Sequence, residues 1–389
     1  MGHNGRRALT KRLWQLAPAC VLLLLLPACA LAAETLSEGI SQTLAGLDLS
    51  AFQRAVSESG LFAEDAAQLI RAVASGQTVL TGGDALRWLA GKAAGLFTDT
   101  LWRMTRLLIP ALIAAVAENL HPGRSGRSTL HYGGLLMTLG FLIADLEAYV
   151  SLCRSSVGEM AALMQALFPL LVTLLAAVGG TAGSMFYEPA VMAAAGSMTA
   201  LVQQATMPMA AAVAVLTMVG GLSGRLRVSK LRRLIRQAAD WTLGLGFTVF
   251  IGVMTVQGLS AAAVDGVSIR TAKYAMDNFI PVVGGMFADT VDTLVGSSLL
   301  IQNAVGVLGL ILLLGRLMTP LLRTVAAMLL YRAAAAVLEP MSDSPLCGCI
   351  SDYSEVFSLL FIIQLSVGAM FLLLVAQLVM VGHMTVMLR

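Results

Sequence analysis

The sequence predicts an all-α fold, a polytopic helical membrane protein with about eight spans after an N-terminal signal peptide. Three observations carry that reading. Mean hydropathy is +0.83, with 58% hydrophobic and only 12% charged residues over 389 positions, too little polar surface to solvate a core of that size. The apolar residues gather in runs near the length a helix needs to cross a bilayer, about 20 residues for roughly 30 Å of hydrocarbon. The basic residues are unevenly spread, as the positive-inside rule requires of alternating loops.

The chain opens as an export signal over residues 1–33. Arg6, Arg7, Lys11 and Arg12 precede the apolar run Val21 to Leu26, and small residues follow at Ala28, Ala30, Ala32 and Ala33. Cleavage near Ala33 fits this pattern. "LPAC", Leu26 to Cys29, also resembles a lipoprotein box that would lipidate Cys29, and an uncleaved anchor is a third reading. All three leave the next segment outside the cytoplasm. Residues 34–100 carry charges of both signs and short amphipathic patterns. Asp48 can cap a helix bearing Phe52 and Val56, and Asp84 one bearing Leu86, Leu89, Leu96 and Phe97, which gives a small helical extracytoplasmic region.

Residues 101–389 hold the spans. The first runs from about Leu101 to Ala117, the second from Tyr132 to Leu152, and the third from Ala161 to Tyr187. The uncharged stretch Pro189 to Gly224 is too long for one helix and suits two short spans, with Gln203, Gln204 and Pro208 marking the turn. The remaining spans run from about Trp241 to Val264, Leu294 to Gly315, Met318 to Leu338, and Val356 to Gly382. "GRLRVSKLRRLIR", Gly224 to Arg236, has Arg225, Arg227, Lys230, Arg232, Arg233 and Arg236 and no acid, so it belongs inside. Five crossings from an exported start bring it there. On that register the two acidic connections, residues 265–293 and the segment with Glu339, Asp343, Asp352 and Glu355, both lie outside.

The polar insert at 265–293 is the first candidate site. Asp265, Asp277, Asp289 and Asp292 outnumber Arg270 and Lys273. Arg270, Lys273 and Asp277 fall at i, i+3 and i+7, on one helical face. "NFIPVVGGMFAD", Asn278 to Asp289, is apolar, too short to span, and interrupted by Pro281 and by Gly284 and Gly285. It reads either as a re-entrant docking or gating element or as an interfacial amphipathic connector. The second candidate set is charged positions within spans: Asp145, Glu147, Arg323 and Arg332. These either snorkel to head groups or form an internal polar path or an Arg-carboxylate pair.

Other chemistry finds little support in the residues. Cys153, Cys347 and Cys349 have no companion cluster that would complete a metal site. There is no Walker loop, H-E-x-x-H or G-x-S-x-G, so the chain reads as non-enzymatic with no cofactor. A net charge of +3 gives no nucleic-acid footprint. The Gly179-x-x-x-Gly183 and Gly220-x-x-x-Gly224 spacings permit close helix contact.

"VQGLSAAAVDGVSIRTAKYAMDNFIPVVGGMFADTVDTL", Val256 to Leu294, resembles the signature region of the stage III sporulation protein AE family of endospore-forming bacteria. "FPLLVTLLAAVGG", Phe168 to Gly180, and "YEPAV", Tyr187 to Val191, extend the likeness. The resemblance implies a multi-pass protein of the mother-cell membrane around the forespore. It would act with other membrane proteins of the same sporulation operon and with a forespore membrane partner, in a channel-like, secretion-related complex needed for late forespore development. No catalytic or ligand residue carries over from it. The competing reading is a stand-alone secondary transporter or permease for a small solute, for which Pro169, Gly179 to Gly183 and Pro281 supply the helix breaks.

Overall fold

The structure, a computed structural model, describes residues 38–62, 64–77, 82–120, 126–178, 181–222, 228–279, 284–341 and 345–387. The signal segment lies outside the described residues. Among them there is no strand; the all-helical expectation holds.

Three short helices come first: α1 over 38–45, α2 Ser50–Ser59 and α3 Ala66–Ala74. The Asp48 carboxylate accepts the Ser50 backbone N–H at 3.0 Å, and Phe52 and Val56 are the buried residues of α2, as the sequence predicts. A hydrogen bond from the Ser50 side chain, and after it that backbone one, lower the Asp48 pKa below its ordinary 3.8. Its contribution is therefore present above that value and lost as pH falls through the lowered one. Protection of the Ser50 amide, measured as its exchange rate against the intrinsic rate at each pH, is expected to drop in acid as Asp48 protonates, and that drop is expected to be absent in Asp48→Asn. Gln53 ties α2 to α3: its Nε2 donates to Asp65 at 3.0 Å and its Oε1 accepts the Ala66 N–H at 2.6 Å. Gly60, at φ 61°, closes α2 in the left-handed region.

Long helices follow: α4 Gly82–Leu120, α5 Gly126–Ala177, α6 Thr181–Leu201, α7 Met207–Leu222, α8 Ser229–Phe279, α9 Gly284–Leu338 and α10 Pro345–Met387. Among the described residues five stretches are long and apolar enough to cross a membrane: Leu136–Ala177, Pro189–Gly221, Ser229–Gly258, Thr293–Leu338 and Gly348–Met384. Several expected loops are helix interior, so the eight expected spans do not appear as eight separate helices among the described residues. Arg154 and Glu159 read as a connection, yet α5 runs through them, Gly158 included, to Ala177. Arg316 and Leu317 fall between two expected spans, yet α9 continues through them to Leu338. The expected first span falls on α4, which begins at Gly82, so Asp84 lies in its first turn, not ahead of it.

The double span at Pro189–Gly224 is also overturned. Residues Val202–Thr206 form a π-helical turn linking α6 to α7. Leu201 and Met207 both keep right-handed helical dihedrals, so the axis continues. Pro208 explains the widening: its ring occupies the space behind it and it has no N–H for the ladder. Pro208→Ala is expected to restore α-helical hydrogen bonding across 202–206, read as slower amide exchange there; unchanged exchange would reject the proline as the cause.

The bundle alternates in direction. α8 runs parallel to α10, since Arg232 meets Asp352 and Gly258 faces Val381. α5 is parallel too, with Tyr149 on Phe357 and Cys153 near the Leu360 carbonyl. α9 is antiparallel to α10, as Gln302 donating to Leu378 O and Thr324 donating to Gln364 require. α10 packs against α5, α7, α8 and α9, and Tyr353, Val356, Phe357, Leu360, Ile363, Leu374 and Leu378 are all fully buried. The core sits along this helix. α2 and α3 pack on α5 and α9, with Leu61 against Gly315.

The small-residue contact that brings α9 and α10 together lies at Gly306 and Gly368, which face Val379 and Leu317. Of the spacings the sequence singled out, Gly179 and Gly224 lie outside the described residues. Gly220 would place a Cβ 3.1 Å from Val228.

Candidate functional site

The charges predicted within spans meet different fates. Asp145, one-fifth exposed, faces α4 and α9. Its Oδ2 accepts the Tyr331 hydroxyl at 2.6 Å, and Arg103 Nη1 stands 4.0 Å from its Oδ1, a charge contact too long for a hydrogen bond. Arg103 Nε also lies 3.6 Å from Asp99. Glu147, two residues on, is exposed on another side of the helix. Arg332 is exposed, and Arg323 is half-buried with a buried Nε that has no hydrogen-bond partner among the described residues. The expected Arg-carboxylate pair therefore involves Asp145 with Arg103 and a tyrosine, not with Arg323 or Arg332.

Beneath Asp145 lies an aromatic cluster. Tyr353 donates to Leu142 O at 2.6 Å. Phe357 meets Tyr149 edge-on at 4.9 Å, Tyr353 edge-on at 5.4 Å and Tyr331 at 4.8 Å. Rings from α5, α9 and α10 thus fix the depth at which Asp145 sits. Sequence reasoning found Asp145 and missed Arg103, Tyr331 and Tyr353. Tyrosine is scarce here, with six in the chain, and its burial in an apolar run was the available signal.

A second set of charges joins the starts of α8 and α10. Arg232 pairs with Asp352, and Arg236 Nη1 donates to Glu355 at 2.9 Å. The basic segment and the acidic segment before and within α10 therefore occupy the same end of the bundle. This corrects the expectation that they lie on opposite sides. The error follows from α9: a single helix there removes one crossing. Such partly exposed pairs contribute roughly 0.2–1 kcal/mol each. Arg232→Asp with Asp352→Arg is expected to recover what either single change loses, measured by thermal unfolding in detergent.

Arg316 forms a third bridge, 3.2 Å from Glu159 on α5 and 3.4 Å from Glu58 on α2. It holds the N-terminal helices to the long ones. The π turn opens a fourth feature, a recess of about 270 Å³ between α5, α6 and α10 lined in part by Gln165, Gln203 and Gln204. Residues the sequence assigned to a turn are thus the polar lining of a cavity.

The insert gives backbone only. Asp265, Arg270, Lys273 and Asp277 lie on α8, which continues to Phe279, while Gly284, Gly285, Asp289 and Asp292 open α9. Pro281 lies outside the described residues, as do the side chains of 259–292. The glycines thus begin a helix.

Comparison with known proteins places these features in a family. The family model for stage III sporulation protein AE matches residues 65–382. The chain belongs to the stage III sporulation protein AE family. Stage III sporulation protein AE of Bacillus subtilis (strain 168) is 31% identical over 308 residues, covering 78% of this chain and 77% of that protein. No solved structure matches. The family match spans α3 to α10, the stretch that holds Asp145, the salt-bridged end and the insert, and it supports a sporulation role for the chain.

Proposed function

We propose that the chain is a non-enzymatic integral membrane component of a channel-like, secretion-related complex that links the mother cell to the engulfed forespore. The observation that carries this is the family match over residues 65–382 falling on helices of which five, among the described residues, are long and apolar enough to cross a membrane. Its place is the mother-cell membrane around the forespore, with the basic end of the bundle in the cytoplasm. The segment 265–293, at the far end of α8 from Arg232, then faces the space between the membranes. There it offers a docking or gating surface to other proteins of the same operon and to a forespore membrane partner. Neither a cofactor nor nucleic acid enters this role.

Deleting the gene in the native spore-former is expected to lower heat-resistant spore counts by orders of magnitude without affecting vegetative growth. Normal spore yield would overturn the reading. The glutamine-lined recess favours a second reading, a stand-alone permease for a small uncharged solute. Uptake by the purified chain in liposomes, independent of neighbouring gene products, would support the permease and count against the complex.

A further inference from the structure

The crevice between α4 and α5 carries an inference about lipid. It holds about 260 Å³ and is lined by Asp99, Trp102, Arg103, Arg106, Phe141 and Asp145. Its surroundings are apolar and outward-facing: Phe97, Leu101, Ile109 and Ile113 on α4, and Met137 and Phe141 on α5, are all exposed. A polar notch with two guanidinium groups and two carboxylates therefore opens on a face that otherwise suits acyl chains.

Within the notch the two charge signs are not used up on each other. Arg106 is exposed and forms no ion pair among the described residues. Asp145 gives Oδ2 to Tyr331, while its Oδ1 has only the 4.0 Å contact with Arg103. A carboxylate oxygen can accept more, and a guanidinium offers five donors in a fork suited to phosphate. Trp102, 72% exposed at the rim, is the residue type that sits at head-group level and offers a face to cations.

We propose that this crevice binds the head group of a phospholipid that carries both a phosphate and a primary amine. Arg103 and Arg106 take the phosphate, Asp99 and the free oxygen of Asp145 take the ammonium, and the acyl chains lie along the exposed apolar residues of α4 and α5. A primary ammonium has three N–H donors for two carboxylates, whereas a quaternary one has none, so an ethanolamine head group is preferred to choline. The inference rests on the membrane reading above, which alkaline extraction of membranes tests separately: release of the chain would sink that reading, while retention leaves the lipid test standing by itself.

The test is native mass spectrometry of the delipidated full chain, titrated with dioleoyl phosphatidylethanolamine, phosphatidylcholine or phosphatidylglycerol. Expected are one retained phosphatidylethanolamine and about tenfold weaker retention of the other two. Arg106→Ala is expected to abolish the bound lipid. Asp99→Asn should keep binding but erase the ethanolamine preference. Both side chains are exposed on the bundle surface rather than packed in its core, so the fold survives, checked by an unchanged melting temperature. Soluble O-phosphoethanolamine should compete weakly and inorganic phosphate not at all. Equal retention of all three lipids, or of phosphatidylglycerol alone, would overturn the proposal, as would Arg106→Ala and Asp99→Asn variants that bind like the parent.

Discussion

Phe357→Ala is expected to cost roughly 3–5 kcal/mol, the range for truncating a fully buried aromatic ring. The residue is 0% exposed and meets three rings, those of Tyr149, Tyr331 and Tyr353. Removing it leaves a cavity at the junction of α5, α9 and α10 that cannot collapse, because each neighbour is anchored elsewhere: Tyr331 to Asp145 and Tyr353 to Leu142 O. Phe357→Leu should lose about half as much, since it keeps most of the apolar volume. Denaturant unfolding in mild detergent, followed by tyrosine fluorescence and circular dichroism, reads both. A loss below about 1 kcal/mol for Phe357→Ala would mean that this cluster does not hold the three helices together.

Gly306→Leu is expected to be as disruptive by the opposite route, overpacking. A Cβ at this position would already collide with Val379 Cγ2, and valine's branched side chain has little rotamer freedom to retreat. Inserting added carbons into a packed seam costs typically about 1–3 kcal/mol. Here the cost is raised because Gln302, one turn away on α9, makes its hydrogen bond to Leu378 O only at the present spacing. Separation of α9 from α10 by even an ångström strands that buried amide. Val379→Ala should rescue Gly306→Ala, restoring protease resistance, and should leave Gly296→Ala, whose Cβ meets nothing within 4 Å, unaffected.

Much of the architecture was legible because it depends on local signals. Asp48 before an amphipathic pattern announced α2, and composition announced helices suited to lipid. The Arg-rich stretch around Arg232 marked one end of the bundle, and the segment Val256 to Leu294 pointed to the family. What failed was the conversion of charges into loops. Arg316 interrupts two apolar runs, and in sequence that looks like a connection. In the fold it is an interior position of α9 whose charge is met by Glu58, 258 residues away. Arg154 and Glu159 misled in the same way within α5. The site was half legible for the same reason. Asp145 stood out as a carboxylate in an apolar run, but its partner Tyr331 is 186 residues distant, and no spacing rule connects them. The glutamines at 203 and 204 suggested a turn because polarity and a nearby proline usually mean one. A π turn uses both without breaking the axis.

The length of α9 has a mechanical consequence. Its 55 residues make a rod of roughly 80 Å whose helix continues through Pro320 to Leu338, so strain applied where Gly284 begins is passed along it. A tilt of about 5° about its middle carries each tip roughly 3–4 Å sideways. Pulling on the end beside the insert would thus be felt at Leu338, next to the salt-bridged termini of α8 and α10. A single stiff lever can report to one compartment what has been touched in the other.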